Sequence, residues 1–575
     1  MSISFNEIPQ NVLTPFTFVE FDNTNATRNL QGSQPYKILV FGQKLDSGIA
    51  ETGKLYRVLD EGSAERLFGP SSMLHHIFVN LKRNNRVNEA WAIALPEPGS
   101  ERLLTITEAA AETEYGLTLT KGSQTETISF SSDNDPTTEE IINGLLGQLR
   151  DSEAIGIVTL RDETLKLKLA EDWKAETSGP LSLAEAQDGR ATGQIDMKDV
   201  ATGDGFFSVY IGGLSYQVQV KTGDRASDIA PQLVSEINEN PLSFVAAELS
   251  GNNDINLTAK QAGAIGLDIP IGFNYNEFDF FPQGLEGAEI TPMGSSGRNP
   301  DISEVIGSLD EIQFNVIIMP YTDQENLRTL DTFLEDRWGP ENPLDGHMFI
   351  GSGENPERQI EIAESLNSRQ ITMLDAGNFP VPAHLFAAAV AGLNSRFASI
   401  DPARPQQTLE VRGVLPPKAP KKREVRDQLL KAGVSTTTAQ SGKVYIERLV
   451  TTYTRNAIGS LDPSYRDLAV KQTLSFLRWD FRRLFASRYP RHKLAMSDER
   501  IGPGQAVLTP KSAKAEAVAL FRQWELAGLV EDIDQFKTEI VVQISPTDPN
   551  RLEFLMTPNL INQLRVIGAQ ISYIL

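Results

Sequence analysis

Short apolar segments alternate with amphipathic helical patterns over two stretches of the chain. The first stretch contains "YKILVFG" (36–42), a helical pattern from about Ser63 to Lys82, and "EAWAIAL" (89–95). The second contains "FNVIIMPY" (314–321), the helical "DQENLRTLDTFLEDRWG", "GHMFIGSG", a helical pattern from about Pro356 to Ser368, and "ITMLDAG" (371–377). Apolar strands that alternate with helices indicate a parallel α/β sheet covered on both faces. We predict one α/β core formed by residues 36–100 and 291–456.

The region between these stretches contains a repeat. The segment that begins "GLTLTKGSQTETISF" at Gly116 is echoed about ninety residues later by "FSVYIGGLSYQVQV". Each copy has two alternating strands, a polar loop, an amphipathic helix and two further alternating strands, which predicts a ββαββ unit. The helices carry their apolar residues at helical spacing (Ile141, Leu145, Leu149; Ile229, Leu233, Ile237). Two copies cannot form a solenoid. We predict two small inserted α+β domains, 101–190 and 191–290, although generic α+β patterning could produce the same resemblance by coincidence.

Most of the net charge lies in this inserted region. The chain of 575 residues has a net charge of −23, and residues 101–290 contain 32 Asp and Glu against 12 Lys and Arg. Such a field opposes general binding to nucleic acid. We interpret the two domains as solvent-exposed decoration whose charge confers solubility.

A change of pattern marks the last third of the chain. The Pro- and Lys-rich segment "GVLPPKAPKKREVRDQ" is typical of a solvated linker. "GKVYIERLVTTYTRN" (Gly442–Asn456) predicts a long alternating strand, and a helix is expected from about Pro463 to Ser487. Residues 457–560 are predicted to form a C-terminal α+β domain.

The final residues, "LINQLRVIGAQISYIL", predict an apolar strand. From Arg565 onward, Ile567, Ala569, Ile571, Tyr573 and Leu575 would share one face. Unpaired strands are usually shortened or charged because their N–H and C=O groups can pair with any other edge. This strand either docks into its own domain or completes a sheet in another copy of the protein.

One basic segment opposes the acidic character of the chain. Residues Pro463 to Lys493 contain eight Lys and Arg against two Asp. An apolar stripe (Leu468, Leu474, Leu477, Phe481, Leu484) leaves the arginines of the helix on a second surface (Arg478, Arg482, Arg483, Arg488). This surface is either a solvated face with packed arginine stems or a docking helix for an acidic partner.

The search for catalytic chemistry is negative. The G-x-S-x-G turn of serine hydrolases does not occur, "GVSTTTAQSGKV" lacks P-loop spacing, and no calcium-loop motif is present. Because the chain has no cysteine and only five histidines, it has few side chains that could ligate a transition metal. The remaining hydrolase candidate combines Ser352, His347 or His384, and Asp375. We expect a non-enzymatic protein without cofactor, made in the cytoplasm without a signal peptide or a membrane span.

Several segments together resemble a known family. The opening "ISFNEIPQNVLTPFTFVEFDNTNA", the stretch "IQFNVIIMPYTDQENLRTLDTFLEDRWG", "GKVYIERLVTTYTRN" and the apolar final segment are similar to the tail sheath protein of Mu-like contractile-tailed bacteriophages. The resemblance covers about two thirds of the chain. It implies a subtilisin-like α/β fold without a catalytic site, and it implies that the acidic repeats correspond only by position to the variable decorating insertions of sheath proteins.

The resemblance also implies an assembly. Six-fold rings of subunits would stack around a tail tube in the virion tail, with baseplate and tail terminator proteins as further partners. An N-terminal arm (1–35, with Phe16 and Phe18) and the C-terminal strand (561–575) would pair with sheets of neighbouring subunits, and the basic helix would contact the tube. A metastable extended sheath would then contract and drive the tube through the host envelope. The alternatives are the sheath of a bacteriocin-like particle and an α/β hydrolase with an unrecognised site.

Overall fold

The computed structural model describes residues 34–574 except 97–100, 162–163, 170–172, 186–188, 277, 295–296, 310, 498–499, 501 and 503. The described residues form two compact units. The larger comprises Lys37–Phe397, Arg404–Gln472 and the segment from Gln563 onward; the smaller comprises Ala398–Ala403 and Thr473–Asn562. The predicted N-terminal arm, with Phe16 and Phe18, lies outside the described residues, as does Leu575.

From residue 34 onward, the described chain forms five elements before the inserted region. They are β1 (Lys37–Gln43), β2 (Leu55–Arg57), α1 (Glu61–Phe68), α2 (Met73–Asn84) and β3 (Glu89–Leu95). Strands β1 and β3 confirm the prediction and pair in parallel along their whole length. The single helix expected from about Ser63 to Lys82 is wrong, because Gly69, at φ +88°, and Pro70 separate α1 from α2. A helix interior favours neither residue, and α2 begins anew with Ser72 capping the N–H of His75.

The first inserted segment has its own hydrophobic core. Its elements are β4 (Glu101–Ile106), β5 (Glu114–Lys121), β6 (Gln124–Ser131), α3 (Thr138–Asp151), β7 (Ile155–Arg161), β8 (Thr164–Leu169), β9 (Lys174–Ser178) and β10 (Leu181–Glu185). Helix α3 buries Ile141, Leu145 and Leu149 in a cluster whose members all lie within the segment. The predicted ββαββ pattern is confirmed as β5–β6–α3–β7–β8.

The second inserted segment repeats the same topology. Its elements are β11 (Thr192–Asp196), β12 (Gly205–Ile211), β13 (Leu214–Val220), α4 (Ala226–Glu239), β14 (Val245–Ser250), β15 (Asp254–Ala259), a 3₁₀ turn (Ala264–Asp268), β16 (Ile271–Phe273) and β17 (Glu289–Gly294). The sheets correspond strand for strand: β7-β8-β4-β10 matches β14-β15-β11-β17, and β6-β5-β9 matches β13-β12-β16. The repeat is therefore larger than the sequence pattern indicates, with three additional strands in each copy.

The chain returns to the core after these inserts. The elements are α5 (Ser303–Ile306), a 3₁₀ turn (Gly307–Leu309), β18 (Val316–Ile318), α6 (Gln324–Trp338), β19 (Met348–Ser352), α7 (Pro356–Leu366), β20 (Ile371–Asp375), α8 (Ala383–Ala398), β21 (Glu410–Val411), α9 (Arg423–Lys431), β22 (Val434–Gln440) and β23 (Lys443–Arg448). One sheet has the order β2-β3-β1-β18-β19-β20-β22-β23-β21, with parallel pairing from β3 to β22. Its central strands are buried on both faces, as predicted for a covered parallel sheet.

The long strand expected over Gly442–Asn456 is wrong, because pairing in β23 ends at Arg448. Beyond it the chain leaves the sheet edge, and the N–H of Thr451 donates to Arg466 O and that of Thr452 to Ile371 O. The hydroxyl group of Thr451 donates to Tyr465 O and that of Thr452 to Ser368 O. The consecutive Thr451 and Thr452 therefore bond to residues elsewhere in the chain rather than continue the ladder.

The smaller unit is an α+β assembly built mainly on two helices. Its elements are α10 (Leu468–Arg488), which begins in the larger unit, β24 (Lys493–Leu494), β25 (Val507–Leu508), α11 (Pro510–Leu526), β26 (Val530–Glu531), α12 (Ile533–Glu539), β27 (Val541–Ile544), β28 (Leu552–Leu555) and β29 (Asn559–Leu560). Its core contains Leu477, Phe521, Trp524 and Phe536, with the rings of Phe521 and Phe536 stacked at 4.1 Å.

Candidate functional site

The candidate arm is anchored to the larger unit at Arg565. Arg565 Nη1 donates to Gln407 Oε1 at 2.9 Å, and Nη2 lies 3.2 Å from Asp467 Oδ1. Gln407 Nε2 in turn donates to the carbonyl oxygen of Leu564 at 3.1 Å. Burial lowers the pKa of Arg565, and the field of Asp467 opposes that shift. The sequence pattern gave no indication of Gln407 or Asp467, since neither belongs to a motif or a periodic face.

Beyond Arg565 the apolar side chains are exposed. Val566 is 86% exposed, Ile571 88% and Ile574 99%, and Ile567 and Tyr573 are similarly exposed. Within the described residues, no strand pairing includes any position from 561 to 574. Such exposure is costly in a monomer, because burying a side chain of this size contributes about 1.5–3 kcal/mol. These residues remain a predicted inter-subunit arm, and we refer to residues 566–575 as the C-terminal arm.

The arginines of α10 differ in their surroundings. Arg483 pairs with Asp480 at 2.7 Å and lies over the ring of Trp479 at 5.2 Å. Arg488 Nη1 donates to Glu516 Oε2 at 2.6 Å. Arg478 is half-buried, whereas Arg482 is exposed. The structure therefore does not present four equivalent cations; Arg483 and Arg488 both have acidic partners within the smaller unit.

The basic segment is also less basic than its composition indicates, because Lys471 is fully buried. Its ammonium group donates to the carbonyl oxygen of Gly346 at 2.5 Å and lies 3.2 Å from His347 Nδ1. Burial lowers the pKa of Lys471 to about 7. Lys471 is thus a packing residue of the larger unit and contributes nothing to a docking surface.

The candidate hydrolase residues do not form a triad. His347 precedes β19 and Ser352 ends it, which separates them by about 16 Å along the strand. The ring of His347 is buried and its Nε2 contacts Thr372 Oγ1 at 2.8 Å. Asp375 is the register partner of Ser352, but its carboxylate accepts from Lys421 Nζ at 2.5 Å and from Gln359 Nε2 at 3.0 Å.

His384 is equally unsuited to act as a base near neutral pH. It is buried on α8, and burial lowers its pKa to about 3. His384 lines a small apolar cavity together with His76 and Phe244, whose rings stack at 4.0 Å. Its surroundings are those of a packed core histidine.

The Pro- and Lys-rich segment is not a solvated linker. Lys418 Nζ donates to Phe273 O at 3.0 Å, and Tyr275 Oη donates to Pro416 O at 2.7 Å. Lys421 is paired with Asp375, with only about a tenth of its side chain exposed. The segment therefore fastens the second inserted segment to the carboxyl edge of the core sheet, because its cations find partners on both.

In the described part of the chain, no group of three or more His, Cys, Asp or Glu side chains is placed to hold a metal ion. None of the helices described above combines the length and the apolar character needed to cross a bilayer.

Comparison with known proteins gives consistent matches. The model of the phage tail sheath protein central domain matches residues 297–452, and that of the phage tail sheath C-terminal domain matches residues 460–573. Over 578 aligned residues the chain is 32% identical to the Mu-like prophage FluMu tail sheath protein of Haemophilus influenzae, covering 100% of both chains.

Two sheath tail proteins are among the solved structures that match. The sheath tail protein of Desulfitobacterium hafniense matches with a TM-score of 0.42 and 10% identity, over 95% of this chain and 100% of that one. The sheath tail protein of Listeria innocua matches with a TM-score of 0.42 and 11% identity, over 94% and 98% of the two chains.

Proposed function

Because this chain belongs to the phage tail sheath family and is a structural subunit of a contractile tail sheath, we propose that it polymerises as hexameric rings stacked around a tail tube. The observation that carries the proposal is the exposed apolar C-terminal arm, which follows directly on a half-buried anchor at Arg565. The core would have the subtilisin-like fold without its catalytic chemistry. The protein would act mechanically, without enzymatic activity, cofactor or nucleotide.

The C-terminal arm would add a strand to a neighbouring subunit. Main-chain hydrogen bonds would provide affinity, and alternate side chains would provide specificity. Ile567, Ile571 and Tyr573 would become buried, each contributing about 1.5–3 kcal/mol before the cost of ordering the arm is subtracted. One such link per subunit, repeated through the sheath, would keep neighbours connected while they slide and rotate.

The two-stranded sheet of β27 and β28 is the acceptor that we favour. Its strands pair with each other, and within the described residues neither outer edge is paired. Two-stranded hairpins are marginal by themselves, so an added strand would stabilise this one. Val541 is 48% exposed and Leu555 62% exposed, which provides apolar surface beside the open edges.

The tube would be contacted through the arginine-bearing face of α10 (Arg478, Arg482, Arg483, Arg488). An extended sheath must follow the tube's register and yet release it on contraction. Exposed ion pairs contribute only about 0.2–1 kcal/mol each, but repeated contacts over many rings sum to a firm attachment. The tube exterior would then be acidic.

Contraction of a metastable sheath would drive the tube through the host envelope, after assembly in the host cytoplasm with baseplate and terminator proteins. A bacteriocin-like particle would use the same mechanics.

Truncation after Arg565 tests this proposal. We expect the truncated protein to retain its fold, because the removed residues lie beyond the anchor, and to remain monomeric where the full chain forms polymers. Circular dichroism would report the fold and sedimentation velocity the polymers. An unfolded truncation product, or one that polymerises like the full chain, would contradict the arm.

A further inference from the structure

We propose that Arg565 is a positioning residue: it fixes the point on the larger unit from which the C-terminal arm leaves, acting through Gln407 and Asp467. The inference rests on the proposed function of the arm and concerns how the subunit aims it. It assigns a role to three polar side chains that belong to no motif.

The side chain of Gln407 forms hydrogen bonds with two consecutive residues of the chain. Its amide nitrogen donates to the backbone of Leu564 at 3.1 Å, and its amide oxygen accepts from the side chain of Arg565 at 2.9 Å. One side chain therefore fixes both the backbone position and the direction of the following side chain. Gln407 lies three residues before β21, at one end of the core sheet.

Asp467 supplies the second contact, and it is itself held in place. Arg448, the last residue of β23, donates to both carboxylate oxygens of Asp467, at 3.0 Å and 2.8 Å. The backbone of Asp467 forms a bridge with that of Val450. Arg565 reaches the same carboxylate at 3.2 Å, with 16% of its side chain exposed. Loss of Arg565 would leave Asp467 paired with Arg448, so the core should not be left with an unpaired buried charge.

The change at this point is abrupt. The side chain of Arg565 is held by Gln407 and Asp467, whereas Val566 is 86% exposed and the exposure continues through the rest of the described arm. An earlier attachment is the N–H of Ile561 on Leu529 O, in the smaller unit. Without Arg565 the chain would lose its side-chain contacts with Gln407 and Asp467 and would keep the hydrogen bond from Gln407 to the backbone of Leu564. The ten residues beyond the anchor reach at most about 36 Å, so the anchor defines where a neighbour's sheet edge must lie.

The experiment compares Arg565→Ala with Arg565→Lys, which retains the charge but not the two-nitrogen fork that reaches Gln407 and Asp467. Lys443→Ala is the matched control, because it removes one cation and its exposed ion pair with Glu410 at the same end of the sheet. The chain contains no cysteine, so a nitroxide label on Val566→Cys reports arm mobility at one defined site.

Both Arg565 variants should fold normally, increase the mobility of the label in the monomer, and raise the critical concentration for polymerisation about tenfold, whereas the control should change neither quantity. The positioning role is wrong if the Arg565 variants leave the label mobility and the critical concentration at wild-type values. If truncation after Arg565 still prevents polymerisation in that case, the proposed function of the arm is retained. If the truncated chain polymerises normally, the arm itself is wrong, and the positioning role falls with it.

Discussion

The ammonium nitrogen of Lys471 lies 3.2 Å from Nδ1 of His347, and both side chains are buried. His347 Nε2 contacts the hydroxyl group of Thr372, which donates to Val450 O at 3.0 Å. Because that hydroxyl hydrogen is committed, Nε2 carries the proton of a neutral imidazole, and Nδ1 accepts from Lys471. This chain of hydrogen bonds links the first turn of α10 to β19 and β20.

This arrangement predicts that stability depends on Lys471 above neutral pH. Burial lowers its pKa from 10.5 to about 7, against the opposing fields of Asp345, Glu335 and Asp331. Between pH 7 and 10 the unfolded chain therefore holds a proton that the folded protein has released. Folding stability should rise with pH over this window, by at most about 1.4 kcal/mol per pH unit from this residue.

The measurement is urea unfolding of the wild type and of Lys471→Met at pH 7 and pH 9. The variant should be more stable at pH 7 and should gain less stability between the two pH values. An equal pH dependence in the two proteins would show that Lys471 stays charged in the folded state.

We expect the first inserted segment to be dispensable for folding of the core and the second to be required for its full stability. The first has a core of its own, and Glu185 at its end lies opposite Arg102 at its start, so a short Gly-Ser linker can replace 101–185. The second contacts the core through the stack of Phe244 on His76 and through Gln43 Nε2 on Ala262 O at 2.9 Å.

We therefore expect excision of 101–185 to preserve folding and assembly. Excision of 101–294 should lower the melting temperature markedly, because it exposes the buried His76 and Gln43. Differential scanning calorimetry distinguishes the two shortened proteins. Equal losses for both excisions would contradict the separate core of the first segment.

Arg482→Glu should weaken attachment to the tube. The substitution reverses one exposed charge on α10, and Arg522→Glu on α11 makes the same change elsewhere in the smaller unit as a control. After co-expression with tube protein, electron microscopy should show fewer sheathed tubes for Arg482→Glu, with empty sheaths still forming. Normal decoration by this variant would remove α10 from the tube interface.

The smaller unit should depend on Asp480. This carboxylate is 1% exposed and accepts from Trp524 Nε1 at 3.0 Å and from Arg483 at 2.7 Å. Asp480→Asn should destabilise the unit by about 1–3 kcal/mol, since it removes the charge from the hydrogen bonds that Trp524 and Arg483 donate. Asp534→Asn, which breaks the exposed pair with Lys537, should leave chemical denaturation unchanged. A neutral effect of Asp480→Asn would show that this network contributes specificity rather than stability.

Periodicity predicted the mixed α/β architecture well, because apolar strands such as Ile371–Asp375 are buried on both faces and carry a clear signal. It also predicted both ββαββ cores, where alternation and helical spacing are strong. It failed where hydrogen bonds to residues distant in sequence decide the path. The threonines after Arg448 resemble a strand, but their hydroxyl groups donate to Tyr465 O and Ser368 O. The break at Gly69 and Pro70 was visible in the sequence but was overridden by the surrounding apolar pattern.

The polar residues of the candidate site were less predictable. Alternation near Ile571 predicted an apolar strand but left open whether it docks into its own domain or into another copy. The anchor depends on residues about 100 to 160 positions apart from Arg565, such as Asp467 and Gln407. Charge counting likewise treated Lys471 as a surface cation, since composition does not report burial.

Negative-stain electron microscopy of the purified full-length chain, over a range of concentrations, tests the central claim most directly. The account predicts hollow tubes or stacked rings with six-fold symmetry in end views, and their loss in the protein truncated after Arg565. A monodisperse, folded monomer at the highest concentration, with no tubes even when tube protein is present, would contradict it.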